Sequence, residues 1–292
     1  MFPLVSIITI NYNQTQISCE LLQSIEHIDY PNIEVIVVDN GSTHNPKEII
    51  EKRFPRVKVI VSPDNLGFSG GNNLGIQAAK GKFFFLVNND TELTPQCVHI
   101  LVDFLERHPR VGVVCPKIRY FEPPQLIQYV GYTTLNPITA RNATIGQYEE
   151  DQGQYTQPRQ TPYAHGAAMM LRREVVEKAG LMPEEFFLYY EELDWSEKIR
   201  KAGYEIYVEP QATIFHKESV STGKASPLKT YYLTRNRILF VRRNAPWWQQ
   251  FLFFVYVICI MIPKNMLTML WRNERKHLQA FVHALQWHWA HR

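Results

Sequence analysis

Short apolar runs alternate with helical patterns through the first 90 residues. Residues 5–10, 33–38 and 83–87 are apolar runs that end at once in polar residues, which is typical of buried parallel strands. Residues 15–28 place apolar side chains at helical spacing between two of these runs. The alternation predicts an α/β fold: a mostly parallel sheet with helices on both faces. Further expected elements are a helix near 46–54, a strand at 57–61, a loop at 62–71 and a helix at 72–80.

The later sequence predicts fewer regular elements. Residues 115–163 are rich in Pro, Gln, Tyr and Thr and are expected to be irregular. A small-residue strand is expected at 165–171, and a helix at 195–202 that ends at Gly203. A further strand is expected at 204–208.

Polar residues follow three of the predicted strands at corresponding positions. They are Asn11-Tyr12-Asn13, Asp39-Asn40 and Asn88-Asn89-Asp90. Ligands of such sheets lie beyond the carboxyl ends of the strands, so these side chains are expected to share one binding edge. Each cluster taken singly is also compatible with an ordinary turn.

Two common nucleotide-binding classes are excluded. The residues after the first strand contain no G-x-G-x-x-G turn, and no G-x-x-x-x-G-K-[ST] loop occurs anywhere in the chain. A dinucleotide-dependent oxidoreductase and a P-loop ATPase are therefore not expected. A nucleoside diphosphate can instead be held through Mg²⁺ or Mn²⁺, and Asp90, just after an apolar strand, is the best-placed carboxylate ligand.

Four segments together resemble the serial motifs of family 2 glycosyltransferases. They are Asn11-Tyr12-Asn13, Val38–Ser42, Asn65–Asn73 and Leu86–Asp90, and the match extends over roughly residues 4–220. The Asn-x-Gly-Phe form in the third segment is most similar to the rhamnosyltransferase-like branch. The resemblance implies a GT-A fold and transfer of a sugar from a nucleoside-diphosphate sugar, of the dTDP or UDP type.

The resemblance also assigns site residues. Asp39 would pair with the uracil or thymine ring, Asn11 and Tyr12 would line the base pocket, and the loop 65–73 would cover the ribose and diphosphate. The nucleotide-binding residues implied in this way are Asn11, Tyr12, Asp39, Asn65, Gly67, Gly71, Asn72 and Asn89. Asp90 and His216 would hold Mg²⁺ or Mn²⁺, although Asn88 stands where the family usually has a first Asp.

Three acids within four positions are the candidate catalytic groups: Glu191, Glu192 and Asp194. Acids at a helix N-terminus can serve as simple caps, but crowded carboxylates among aromatic residues tend to have raised pKa values, which suits a general base. In the family the second acid of this segment takes the proton from the acceptor hydroxyl. Glu192 occupies that place, Asp194 is its rival for the role, and Glu191 comes third.

The implied activity is inverting glycosyl transfer to a hydroxyl of a glycan or a polyprenyl-linked acceptor. Because Asn88 and Glu192 depart from the family pattern, a catalytically inactive sugar-nucleotide-binding partner protein is the alternative. A nucleotidyltransferase would need a Gly- and Arg/Lys-rich loop after the first strand, which is absent.

The distribution of charge divides the chain. Residues 229–292 contain ten Lys/Arg and one acid, Glu274, whereas the rest carries a net charge of −6. Within this basic tail, residues 251–262 are an apolar run closed by Pro263 and flanked by tryptophans. We predict a GT-A domain over 1–226 and a helical extension over 227–292 that lies at a membrane interface. Packing on protein, including a homodimer contact, and membrane spanning are the alternatives; no nucleic-acid-binding motif is present.

Composition and cysteine usage complete the prediction. With 45% apolar and 20% charged residues, the chain can form a full-sized core. Its four cysteines show no metal-ligand or redox spacing and are expected to be reduced and buried. No secretory signal is expected, so the predicted location is cytoplasmic, peripheral on the inner face of the cell membrane.

Overall fold

A computed structural model describes residues 1–217 and 226–291. Its centre is a ten-stranded mixed sheet with the order β3-β2-β1-β4-β9-β6-β10-β5, to which β7 and β8 add at β6 and β10. The strands are β1 (Val5–Asn11), β2 (Ile33–Asn40), β3 (Val57–Ser62), β4 (Phe83–Val87), β5 (Thr91–Leu93), β6 (Val111–Tyr120), β7 (Ile127–Tyr129), β8 (Arg159–Gln160), β9 (Ala168–Arg172) and β10 (Glu205–His216).

Helices connect and flank these strands. They are α1 (Thr15–Ile25), α2 (Lys47–Arg53), α3 (Gly67–Ala78), α4 (Cys97–Arg107), α5 (Arg173–Ala179), α6 (Glu191–Lys201), α7 (Pro227–Asn244), α8 (Trp247–Tyr256), α9 (Ile262–Trp271) and α10 (Arg275–Ala290). A short 3-10 turn occupies Glu184–Phe186, and a π-helical turn at Val257–Met261 joins α8 to α9.

The predicted α/β architecture is confirmed. Strands β1 to β4 pair in parallel in the order β3-β2-β1-β4, and most of their apolar residues are buried, although Val61 on the edge strand β3 is 42% exposed. The parallel register places Asn11 at the end of β1 directly opposite Asp39 at the end of β2. The polar residues after these strands therefore meet at one edge, as expected from the sequence.

Two predicted helix boundaries are wrong. Helix α3 begins at Gly67, inside the segment expected to be a loop, because Asn40 Oδ1 accepts a hydrogen bond from the Leu66 N–H and organises this turn. Helix α6 begins at Glu191 instead of Trp195, so all three acids lie in its first turn, where the helix dipole favours negative charge.

The segment expected to be irregular contains regular structure. Strand β6 continues to Tyr120 and pairs with β7, while β8 pairs with β10. A buried ion pair between Lys117 and Asp151, 2.8 Å from Nζ to Oδ2, fastens the intervening loop to β6. Lys117 lowers the pKa of Asp151 against the opposing effect of its burial. β9 pairs antiparallel to both β4 and β6, which makes the sheet mixed in its centre.

The chain forms two compact units, and residues 134–143 and 188–190 group with the C-terminal residues in the second one. The predicted division at 226/227 stays a prediction; residues 218–225 and 292 lie outside the described part of the chain. Within the second unit, Asn236 Nδ2 donates to the Leu188 and Tyr189 carbonyls, at 2.7 Å each. The Arg237 guanidinium donates to the Thr139 carbonyl.

The helix that contains the apolar run of the second unit does not end at Pro263. The helix continues from Trp247 to Trp271, because the π turn before Pro263 changes the backbone hydrogen bonding where the proline lacks an N–H. Within this helix Cys259 is exposed, so the expectation of four buried cysteines holds for the other three only. By length and composition this helix could cross a membrane, and only 17% of its most apolar window is buried.

Candidate active site

A chain of hydrogen bonds joins the polar ends of β1, β2 and β4. Asn11 Nδ2 donates to Asp39 Oδ1 (2.8 Å), Ser18 Oγ donates to Asn11 Oδ1 (2.8 Å), and Asn89 Nδ2 donates to Ser18 Oγ (3.0 Å). Ser42 Oγ also donates to Asp39 Oδ1, at 2.6 Å. Three of the predicted nucleotide-binding residues, Asn11, Asp39 and Asn89, thus belong to one hydrogen-bonded group. Its hydrogen bonds fix the orientation of the Asp39 carboxylate.

Sequence reasoning missed Ser18, which links Asn11 to Asn89. Ser18 is a buried residue of α1, and no local sequence pattern marks it as part of the site. The predicted Tyr12 is differently placed: its side chain is 42% exposed, beside the buried Asn11. An exposed aromatic ring next to a fixed carboxylate is able to stack on a planar base.

The glycine-rich loop is shaped by asparagine side chains. Asn65 Oδ1 accepts from the Gly67 N–H and from Asn40 Nδ2, and Asn72 Nδ2 donates to the Phe68 carbonyl. The side chains of Asn65 and Asn72 therefore make hydrogen bonds that hold the loop itself. A ligand would interact with the backbone of the loop. Gly71 packs against β1, where an added Cβ would lie 3.0 Å from Ile10 Cδ1.

Gly67 and Phe187 approach each other closely. Gly67 has a φ of +71°, and a Cβ at this position would lie 2.3 Å from the Phe187 carbonyl oxygen. That oxygen accepts a hydrogen bond from the Phe68 N–H at 2.7 Å. Phe187 itself has φ 63° and ψ −54°, close to the strained γ-turn conformation, and such strain is held only where surrounding contacts fix it.

The three acids of α6 differ in exposure. Glu191 and Asp194 are buried, at 4% and 1% exposure, whereas Glu192 is partly exposed. Glu192 lies beside Gly166 and Phe68: a Cβ on Gly166 would be 4.0 Å from Glu192 Cγ and 3.7 Å from Phe68 Cζ. Burial, together with the neighbouring Glu192, raises the pKa of Glu191 well above its usual value. Of the three acids, Glu192 is therefore the one whose side chain is partly exposed.

Asp90 and His216 form the candidate metal site. Asp90 Oδ1 lies 3.1 Å from His216 Nε2, both side chains are buried, and within residues 1–217 and 226–291 Asp90 Oδ1 makes no hydrogen bond. His216 Nδ1 is 2.8 Å from Gln128 Oε1. Because a carbonyl oxygen only accepts, Nδ1 is the donor in this bond, and Nε2 is the ring nitrogen that faces Asp90.

This pair fits a hard divalent cation. Two ligands at right angles in an octahedral site, each about 2.1 Å from the metal, are about 3.0 Å apart. The buried Asp90 oxygen without a hydrogen bond and the orienting partner Gln128 both suit such a site. No cluster of three or more His, Cys, Asp or Glu able to hold a metal occurs in the described residues.

A pair of stacked rings interacts electrostatically with Glu192 and His216, and sequence reasoning assigned neither ring. The rings of Tyr132 and His165 are nearly parallel, 7° apart, with centroids separated by 5.8 Å. Burial lowers the pKa of His165 to about 3, and His216 contributes in the same direction. Burial and the Glu192 charge raise the pKa of Tyr132 well above 10. Both rings are therefore neutral.

Residues 6–180 match the sequence pattern of the family described as glycosyl transferase family 2. The chain belongs to this family. It is 27% identical over 242 residues to the N-acetylglucosaminyl-diphospho-decaprenol L-rhamnosyltransferase of Mycobacterium tuberculosis, a match that covers 74% of this chain and 77% of that one. The resemblance seen in the sequence is thereby confirmed, and glycosyl transfer is the class of activity.

Two solved structures have the same fold. GalNAc-T7, solved with UDP, GalNAc and Mn²⁺, superposes with a TM-score of 0.64 at 15% identity, over 82% of this chain and 48% of that one. This chain thus spans about half of that protein. The mannosyltransferase PcManGT from Pyrobaculum calidifontis, solved with GDP-Man and Mn²⁺, has a TM-score of 0.61 at 15% identity over 98% of this chain and 86% of that chain. The predicted GT-A fold is confirmed.

Proposed function

We propose that this enzyme transfers a sugar, of the rhamnose type, from a dTDP- or UDP-sugar to a hydroxyl of a glycan or polyprenyl-linked acceptor, with inversion at the anomeric carbon. The observation that carries the proposal is the partly exposed Glu192 at the start of α6, in the same unit as Asp39 and the Asp90–His216 pair. A base, a nucleotide anchor and a diphosphate-binding pair are the groups that a single displacement requires.

The nucleotide would be held by the hydrogen-bonded group around Asp39. Asp39 accepts from Asn11 and Ser42, so its carboxylate is fixed while its remaining lone pairs can accept from the imide N–H of uracil or thymine. The exposed ring of Tyr12 would cover the base. The backbone of the Gly67–Gly71 turn would lie against the diphosphate, as the lack of side chains there allows.

Asp90 and His216 would hold Mg²⁺ or Mn²⁺, with diphosphate oxygens completing the shell. When bound, such a cation neutralises the charge that develops on the departing diphosphate. The Mn²⁺ in the structures of GalNAc-T7 and PcManGT supports this choice of ion. Gln128 keeps the His216 ring in the tautomer that presents Nε2.

Glu192 would act as the general base. Its carboxylate takes the proton from the acceptor hydroxyl as that oxygen forms a bond to the anomeric carbon. The bond from this carbon to the diphosphate oxygen breaks on the opposite face, and the electron pair leaves with the nucleoside diphosphate. One displacement inverts the anomeric configuration.

The acceptor would be presented at a membrane surface. The helix from Trp247 to Trp271 exposes large apolar side chains, among them Phe251, Ile258 and Leu267 at 64%, 64% and 67% exposure. Lys264 is its single charged residue, whereas the surrounding tail is strongly basic. An exposed apolar face beside basic residues suits insertion into an anionic lipid interface, which would place the enzyme on the inner face of the cell membrane.

The acceptor class follows from this placement. A polyprenyl-linked glycan keeps its lipid tail in the membrane and its hydroxyls at the surface, within reach of a peripheral enzyme. The M. tuberculosis relative, named for a diphospho-decaprenol substrate, supports the same class.

The proposal is tested with the purified full chain, Mn²⁺, dTDP-L-rhamnose or UDP-N-acetylglucosamine, and synthetic polyprenyl-diphosphate-linked N-acetylglucosamine. We expect a glycosylated lipid whose new linkage has the anomeric configuration opposite to the donor, as read by NMR. E192Q would bind the donor but form no product. Binding of the donor with no transfer or hydrolysis under any condition would instead support the inactive sugar-nucleotide-binding partner.

A further inference from the structure

His165 follows β8 and precedes β9, in a position where its ring is held on three sides. The Ala167 N–H donates to His165 Nδ1 at 3.1 Å. Tyr132 stacks on one face of the ring, and the Tyr129 ring lies at 56° to it with a centroid separation of 4.7 Å. These contacts leave the imidazole in one orientation.

The hydrogen bond at Nδ1 determines where the proton of the neutral ring lies. Since the Ala167 N–H donates to Nδ1, that nitrogen uses its lone pair, and the ring proton is on Nε2. Within the described residues, this Nε2–H has no hydrogen-bond acceptor. The side chain is only partly buried, so a fixed donor is available to a ligand.

The neighbours of the ring indicate which ligand this is. Gly166 directly follows His165, and a Cβ on Gly166 would lie 4.0 Å from Glu192 Cγ. Electrostatics agrees with this placement: burial and the Glu192 charge raise the pKa of Tyr132, and burial and His216 lower the pKa of His165. In a displacement with base and leaving group on opposite faces of the anomeric carbon, the transferred sugar lies between Glu192 and the diphosphate. Gly166 and its chain neighbour His165 border the Glu192 end of this arrangement.

We propose that His165 is a specificity-determining residue whose Nε2–H donates a hydrogen bond to a hydroxyl of the transferred sugar. Tyr132 keeps the imidazole plane in position and adds a neutral phenol to the same wall. Gly166, the next residue, has no side chain, and a Cβ there would make ordinary contacts, 3.7 Å from Phe68 Cζ and 4.0 Å from Glu192 Cγ. The inference rests on the proposed function, because it assumes a nucleoside-diphosphate sugar at this edge of the sheet.

The test compares the affinity for a nucleotide sugar with the affinity for its parent nucleotide. Calorimetric titrations of the full chain with dTDP and dTDP-L-rhamnose, and with UDP and UDP-N-acetylglucosamine, give the gain due to the sugar. H165N keeps an acceptor for the Ala167 N–H but loses the distal donor, whereas H165Q keeps a donor near the position of Nε2. H108N, at an exposed histidine on the C-terminal end of α4, makes the same chemical change away from the site.

We expect H165N to lower the sugar-dependent gain about three- to tenfold, the usual effect of one neutral hydrogen bond, with unchanged affinity for the free nucleotide. H165Q would recover most of the gain and H108N would behave as wild type. An unchanged gain in H165N, or an equal loss for nucleotide and nucleotide sugar, would overturn the role of His165. Failure of the wild-type chain to bind any of the four nucleotides would instead refute the proposed function.

A second measurement does not depend on a folded variant. In ¹⁵N-histidine NMR of the wild-type chain, we expect the Nε2–H signal of His165 to shift on addition of the nucleotide sugar and not on addition of the parent nucleotide. Equal shifts with both ligands would contradict the inference.

Discussion

Asp90 Oδ1 and His216 Nε2 lie 3.1 Å apart although the two residues are distant in the sequence. The pairing of β5 with β10 brings them together: Thr91 lies opposite His216, and the Lys217 N–H donates to the Asp90 carbonyl at 2.9 Å. The backbone register of two strands therefore sets the distance between two side chains that could share a cation.

Substitution at this pair tests the metal site. We expect D90N and H216A each to lower turnover at least 100-fold at a fixed, low Mn²⁺ concentration and to raise the Mn²⁺ concentration needed for half-maximal activity. Q128A, which removes the orienting partner of His216, would show a smaller shift of about 10-fold, in line with the usual effect of such outer ligands. Activity titrated against Mn²⁺ measures both, and wild-type metal dependence in D90N would refute the assignment.

The choice of general base is tested by replacing the carboxylates of Glu192 and Asp194 with amides of the same size, which cannot take up the proton. E192Q is expected to lower kcat by about 10²- to 10⁴-fold, the usual contribution of a general base, with donor affinity kept. D194N would keep most of the kcat, because Asp194 is 1% exposed and cannot reach a substrate. Steady-state kinetics on variants with native circular dichroism separates the two; the reverse pattern would make Asp194 the base.

Asp39 is expected to control nucleotide affinity. D39A removes a carboxylate that accepts from Asn11 and Ser42, so a bound base would lose a charge-assisted hydrogen bond. We expect about 10- to 100-fold weaker binding of UDP or dTDP in calorimetry. S18A, which removes the hydroxyl that accepts from Asn89 and donates to Asn11 but leaves the Asp39 carboxylate, is the milder comparison. Equal affinities in D39A and wild type would mean that the base binds elsewhere.

The raised pKa of Glu191 predicts that the stability of the folded state depends on pH. Burial raises its pKa in the folded state above the unfolded value, so the folded state holds its proton to higher pH than the unfolded chain does. The stability from this group is fully present below the unfolded pKa, about 4.3, and is lost as the pH rises toward the folded value. Thermal melting from pH 5 to 9 should therefore show a smaller decline in E191Q than in wild type. An identical decline would show that Glu191 is ionised in both states.

The exposed face of the Trp247–Trp271 helix is expected to bind lipid. L267E with L270E places two charges on residues that are 67% and 59% exposed. The folded state should therefore lose little stability, whereas insertion of this helix into lipid becomes costly. We expect at least tenfold weaker co-sedimentation with vesicles containing phosphatidylglycerol. I49E, at an exposed isoleucine of α2, is the matched control.

Orientation at the membrane can be followed at Cys259, which is exposed while the other cysteines are buried. For an interfacial helix, a bilayer-depth quencher should report a shallow position of a probe on Cys259; a position at the bilayer centre would favour spanning. Unchanged vesicle binding together with a changed oligomeric state in the L267E/L270E variant would point to the homodimer alternative.

The amount that sequence reasoning could predict differs from one part of the site to the next. Asp39 and Asn11 follow apolar strands, and the parallel register makes their meeting predictable. Glu192 and its neighbours could be named from the sequence, but not ranked by exposure, because burial depends on what packs over the first turn of α6. The start of α3 at Gly67 was missed because the group that accepts a hydrogen bond from the Leu66 N–H, Asn40 Oδ1, lies at the end of β2.

The sequence by itself determined the alternation of strands and helices, the motifs at the strand ends and the apolar, basic character of the tail, all of which depend on residues close together in the chain. Only the tertiary structure decided the pairing of Asp90 with His216, the link through Ser18 and the stacking of His165 on Tyr132. These contacts join residues that are distant in sequence. Sheet order and register determine which of them meet, and no local pattern encodes that choice.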